Sequence, residues 1–214
     1  MKKILLVIGM IILLCGCTDI KDKSYDNIIA SSLNNEYKYS NVYREGYSYY
    51  LPAGLKIVNN VETSDIITDN IYTYYLYVDR ISYHNKVEND YIGNKNAFYS
   101  ETYNYNDKFG YLEINNLQND KYLIEIMYNY AKIEVIVDKD SINSAIAYSI
   151  IVLSSIKYND SIIANLIDAK DAEFKEEEYN IFSTVSSEGN VLQFKEDYNI
   201  EDENDIIPDT DLIN

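Results

Sequence analysis

The chain predicts an α+β fold, mainly an antiparallel sheet with a packed late helix and a short N-terminal helix, on three observations. From Tyr43 to about Val137, β-branched and aromatic residues dominate and are punctuated by turn residues. After Asp138 the apolar spacing becomes helical, through Ile142, Ala145, Ile146, Ser149, Ile150 and Leu153. Ahead of the strand-rich region, Ile28, Ile29 and Leu33 share one helical face.

In chain order, Tyr25 to Leu33 is the first helix, with Ser24 or Asp26 as its N-cap. YSYYLPAGLKIVNN reads as a strand, a turn at Pro52-Ala53-Gly54 and a second strand from Leu55, because Pro52 lacks an N–H and Gly54 permits positive φ. Ile71 to Tyr83 and Asn96 to Tyr105 are further strands. Tyr111 to Asn115 and Tyr122 to Tyr128 form a hairpin around NLQND. Ala131 to Asp138 sets Ile133, Val135 and Val137 against Lys132, Glu134 and Ile136, the pattern of a strand with one better-buried face. The late helix follows, capped by Ser141 or Asp140, and its apolar stripe is the face that packs on the sheet. KYND turns the chain into a second short helix, Ser161 to Ile167.

The opening run MKKILLVIGMIILLCGC has the order of a secretory signal: Lys2 and Lys3, an apolar stretch from Ile4 to Leu14, then small residues. That stretch is shorter than the roughly 18 residues a membrane span needs. Leu14-Cys15-Gly16-Cys17 resembles the lipobox of bacterial lipoproteins, and the whole chain is similar to uncharacterised lipoproteins of low-GC bacteria. The resemblance implies cleavage between Gly16 and Cys17, a diacylglyceryl thioether on Cys17, acylation of palmitate type, and attachment to the extracytoplasmic face of the cell membrane. At roughly 0.8 kcal/mol per buried methylene, a two-chain lipid suffices as an anchor. Both cysteines lie within this run, so the mature domain has no disulfide and no Cys-based metal site.

The expected organisation is a signal peptide at 1–16, an anchor and tether at 17–24, and an α+β domain at 25–167. A charged segment with a candidate hairpin occupies 168–195, and an acidic tail expected to be disordered occupies 196–214. The order of strands and late helix also resembles the PsbP-like fold. That likeness rests on the entry YSYYLPAGLKIV, the consecutive strands and the helix ending in SSIKYND, over about residues 43 to 160. It implies an antiparallel sheet with helices on its faces and carries over no catalytic residue.

The net charge of -17 is concentrated late: from Asp168 onward there are 15 acidic residues and 3 lysines. An acidic chain repels phosphate backbones, which disfavours nucleic acid as a partner. His84 is the only histidine, and no Gly-x-Ser-x-Gly elbow exists, so nucleophilic hydrolase machinery is unsupported. No P-loop or Gly-x-Gly-x-x-Gly loop is present. Zinc lacks its Cys and His set. Asp202, Asp205, Asp209 and Asp211 crowd together but without EF-hand spacing. No catalytic, cofactor or metal residue is therefore assigned.

Two leads remain. Glu125 and Glu134 are placed to face each other across a hairpin, as glycosidase acids do. The tyrosine clusters at Tyr47, Tyr49, Tyr50, at Tyr72, Tyr74, Tyr75, Tyr77, and at Tyr99, Tyr103, Tyr105 suit either a glycan or peptide surface or strand packing. Tyrosine has AT-rich codons and high strand propensity, so the 24 tyrosines weigh toward packing. The leading expectation is a non-enzymatic, lipid-anchored binding module for a cell-envelope glycan or protein. The alternative is a carboxylate-dependent cell-wall hydrolase.

Overall fold

The computed structural model describes residues 20, 23–35, 39–61, 64–89 and 91–170. The expectations for Gly16, Cys17 and the rest of the leader, and for the acidic segment from 171 onward, lie outside the described residues. Helix α1 spans Tyr25–Leu33, and strands β1 (Val42–Arg44), β2 (Tyr47–Tyr49), β3 (Lys56–Val61), β4 (Ser64–Thr68) and β5 (Thr73–Val78) follow. Helix α2 (Arg80–Asn85) leads to β6 (Tyr99–Tyr105), β7 (Lys108–Asn116), β8 (Lys121–Tyr128) and β9 (Ala131–Asp138). Helix α3 (Ile142–Ser154), β10 (Lys157–Tyr158) and helix α4 (Asp160–Lys170) complete the order.

Seven strands form one antiparallel sheet in the order β3-β4-β5-β9-β8-β7-β6, and β1-β2-β10 form a smaller one. The α+β class and the packed late helix are thus as expected. Helix α3 lies on β8 and β9, burying Ile142, Ile146, Ile150 and Leu153, and α1 packs against α3 through Ile28, Ile29 and Leu33. Each such aliphatic side chain contributes roughly 1.5–3 kcal/mol on full burial. Ser24 is the N-cap of α1 and accepts from the Asn27 N–H at 3.4 Å. Ser141 occupies the N-cap position of α3 without a capping hydrogen bond, its hydroxyl pairing instead with that of Tyr72 at 3.0 Å.

Three local expectations change. The strand read over Ile71 to Tyr83 ends at Val78, because the Asp79 carboxylate accepts from the Ser82 N–H at 2.8 Å and starts α2. Strand β4 is an addition: its five residues SDIIT were not read as a strand. Both faces of β9 are buried, not one, and Lys132 and Glu134 are interior.

The small sheet is fixed to the large one by a polar knot. Asp65 on β4 is fully buried and accepts from Arg44 Nη2 at 2.8 Å and Nε at 3.1 Å, from the Tyr49 hydroxyl at 2.7 Å and from Asn60 Nδ2 at 2.7 Å. All of the carboxylate's partners are hydrogen-bond donors, which is what permits a charge there. At the other edge, Gly110 on β7 leaves room for the Tyr103 ring, whose hydroxyl donates to the Met127 carbonyl at 2.8 Å.

Candidate functional site

Period-two alternation puts Leu112, Ile114, Ile124, Ile126, Ile133 and Val135 on the helix-facing side of the sheet. Their neighbours point to the other, open face. Register then places Tyr75, Glu134, Glu125, Glu113 and Ser100 side by side across five strands. Glu125 and Glu134 do face each other, as the sequence suggested, and Glu113 joins them as a third carboxyl that the sequence reading missed. Like charges directly opposite destabilise a sheet, so each needs a compensating partner.

Each has one. Lys132 Nζ lies 3.1 Å from Glu134 Oε1 and 3.4 Å from Glu125 Oε1. The Tyr111 hydroxyl donates to Glu125 Oε1. Glu113 accepts from the Tyr91 hydroxyl, and from the Asn94 and Asn115 amides at 2.9 Å each. Glu125 and Glu134 are each only 2% exposed. Glu134 Oε2 is buried with no hydrogen-bond partner.

Burial, with a smaller push from Glu125, raises the Glu134 carboxyl to about 8 against the pull of Lys132. Glu134 therefore binds its proton more tightly than an ordinary carboxyl. Burial and the glutamates push the Tyr91 and Tyr111 hydroxyls up, so both stay neutral donors.

Topology explains the burial of this face. Strands β5 and β6 are separated in the sheet by β9, β8 and β7, so residues 79–98 must cross the sheet. They cross on the open side. Tyr91 stacks on Tyr111 with ring centroids 3.9 Å apart and planes 8° from parallel, and the Asn94 N–H donates to Ser100 Oγ at 2.8 Å. Glu113 is thus the peg that holds this strap to the sheet. His84 is exposed on α2, consistent with a surface histidine.

Between the first half of the strap and the sheet lies a cleft of about 610 Å³. Its floor is the cross-strand row Tyr77, Lys132, Met127 and Tyr111, continued by Phe109. One wall is Ser82, Val87, Glu88 and Asn89 from the strap. The other is Asp79, Asp107, Lys108, Asn129, Tyr130 and Ala131, at the ends and turns of the strands. The three glutamates do not line it. Of the tyrosine clusters singled out in the sequence, only Tyr77 reaches the cleft. Tyr47, Tyr49 and Tyr74 are core, and Tyr99 and Tyr105 donate to Asp26 and Asn34 of the α1 region at 2.6 and 2.7 Å. The signal for Phe109, Tyr111 and Glu113 was their odd-position alternation along one strand, legible only once β7 is known to be covered on both faces.

The proton on Glu134 gives a stability test. This group binds its proton more tightly folded than unfolded, where its ordinary value is 4.5. Its contribution is complete below about pH 4.5, declines by at most about 1.4 kcal/mol per pH unit as pH rises, and is gone above about 8. Glutamine resembles the protonated acid without titrating. Thermal melts of Glu134→Gln should match the native protein near pH 4.5 and exceed it increasingly toward pH 8; parallel curves would place the proton elsewhere.

Among the described residues, no group of three or more His, Cys, Asp or Glu side chains is placed to hold a metal ion, and no helix is long and apolar enough to cross a membrane. No protein-family model, curated protein or solved structure matches the chain.

Proposed function

We propose that the protein is a lipid-anchored envelope binding module, held through Cys17 on the extracytoplasmic face of the membrane and taking its ligand in the strap-covered cleft. The observation that carries the reading is the division of labour on the open face. The cleft has an aromatic floor and polar walls, while the facing carboxyls Glu125 and Glu134 are enclosed and held by Lys132 and Tyr111 beside it. Pockets for small ligands are mainly apolar with a few placed polar groups and measure roughly 300–1,000 Å³, and this cleft lies within that range.

The hydrolase alternative needs two carboxyls flanking a scissile bond, about 5–10 Å apart and open to substrate. Facing glutamates favour it, and their burial weighs against it. A carboxyl 2% exposed and 3.1 Å from an ammonium gives a leaving group little access to its proton, which favours a stabilising role in the sheet.

Two measurements test the reading. Cys17→Ser should leave unprocessed precursor in the membrane fraction and abolish labelling by a palmitate analogue; normal labelling of that variant contradicts the anchor. For the cleft, Tyr77→Ala in the lipidated protein should reduce retention of its envelope ligand at least tenfold with the melting temperature nearly held. Retention unchanged in Y77A contradicts the cleft as the binding site.

A further inference from the structure

Resting on the reading of the cleft as the ligand site, we infer that its occupant is a short, uncharged oligosaccharide lying along the cross-strand row. Shape is the first argument. The floor runs across the four adjacent strands β5, β9, β8 and β7, about 14 Å at roughly 4.8 Å per strand spacing, so it is elongated and suits a short linear chain.

Surface chemistry is the second. Along that row lie Tyr77, Lys132 and Met127, with Phe109 beside them, and Tyr111 closes the far end with one ring face covered by Tyr91. One side of a pyranose ring is a flat patch of C–H groups, and an apolar, partly aromatic floor is the surface on which removing such a patch from water is most favourable. Phe109 is half-buried and makes no ring contact with another aromatic side chain among the described residues.

The donor and acceptor balance of the walls is the third argument, and it separates the ligand classes. An organic cation wants acceptors alone; an anion wants donors alone. Here three carboxylates, Asp79, Glu88 and Asp107, stand with one ammonium, Lys108, with amides at Asn89 and Asn129 and with a hydroxyl at Ser82. Sugar hydroxyls both donate and accept, so each wall group finds a counterpart. Within the floor, Lys132 is already shared between Glu125 and Glu134 and does not present a bare positive charge to an anion. The chain's net charge of -17 further opposes a polyanionic glycan.

The experiment is isothermal titration of the lipidated full protein in detergent with di- to tetrasaccharides of N-acetylhexosamine, alongside tetramethylammonium, glycerol phosphate and a neutral tripeptide. The expected result is saccharide binding that strengthens with chain length, weakens at least tenfold in both Tyr77→Ala and Phe109→Ala, and is unchanged in Ile71→Ala at the far end of the sheet. Binding of the cation, the phosphate or the peptide in place of saccharide, with the same sensitivity to Y77A, would overturn the saccharide while leaving the cleft as the ligand site. Saccharide binding that is indifferent to Y77A and F109A would overturn both.

Discussion

Lys132→Met is expected to lower the free energy of unfolding by about 3–5 kcal/mol at pH 8, the loss typical when one partner of a buried ion pair is removed. Methionine keeps the length and apolar stem of lysine, so the volume of the open-face layer is nearly conserved. What changes is charge. Glu125 and Glu134, paired across β8 and β9 and each 2% exposed, lose the ammonium that lies 3.4 and 3.1 Å from their oxygens. Protonation of Glu134, which burial already favours, is the way to relieve the pair, and this requires that the penalty shrink as pH falls toward 5. It also requires coupling: in a Glu134→Gln background the same lysine substitution should cost less, since only Glu125 then faces the missing ammonium. Urea denaturation of the four proteins at pH 5 and pH 8 measures both effects. A loss below about 1 kcal/mol at pH 8, or equal losses at the two pH values, would show that Lys132 does not stabilise the pair.

Arg44→Met is expected to cost a similar 3–5 kcal/mol by breaking the knot between the two sheets. Asp65 has no exposure, and Arg44 supplies it with donors at 2.8 and 3.1 Å; after the substitution only the Tyr49 hydroxyl and the Asn60 amide remain among the partners described above. Arg44→Lys should recover part of the loss, because an ammonium restores the charge but not the two-pronged geometry of a guanidinium. Arg44→Met with Asp65→Asn should also recover part of it, by removing the stranded charge. If the double substitution were as damaging as the sum of the two single ones, the arginine would be acting through packing.

The parts of this fold that were legible in the sequence are those with local period. Strands β8 and β9 and helix α3 each carry their own alternation or stripe, and Gly54 at φ 97° marks the turn before β3. Strand β4 was missed because five residues carry too little pattern, and the end of β5 because Ile81 and Tyr83 continue its alternation while the Asp79 cap ends it. The site was half legible. Facing of Glu125 and Glu134 follows from one short hairpin, whereas the burial that turns them into an interior cluster comes from residues 79–98, which are distant in sequence and cross the sheet only because β6 pairs at the far edge. Lys132 looked like a solvent-facing strand residue for the same reason: nothing local records that a strap lies above it.

The claim that the strap-covered cleft is where this protein meets its ligand is tested most directly by site-specific photocrosslinking. Both native cysteines, Cys15 and Cys17, lie within the first 17 residues, and Val87 lines the cleft and is 49% exposed, so Val87→Cys supplies a thiol at the site. Ile71, 79% exposed in the turn before β5 and so at the opposite end of that strand, provides the control position through Ile71→Cys. With a benzophenone maleimide on the full-length protein in extracts of its native cells, V87C should yield a discrete crosslinked product that I71C does not, and the product should vanish when Tyr77→Ala is added. The same product from both positions, or one that survives the loss of Tyr77, would contradict the account.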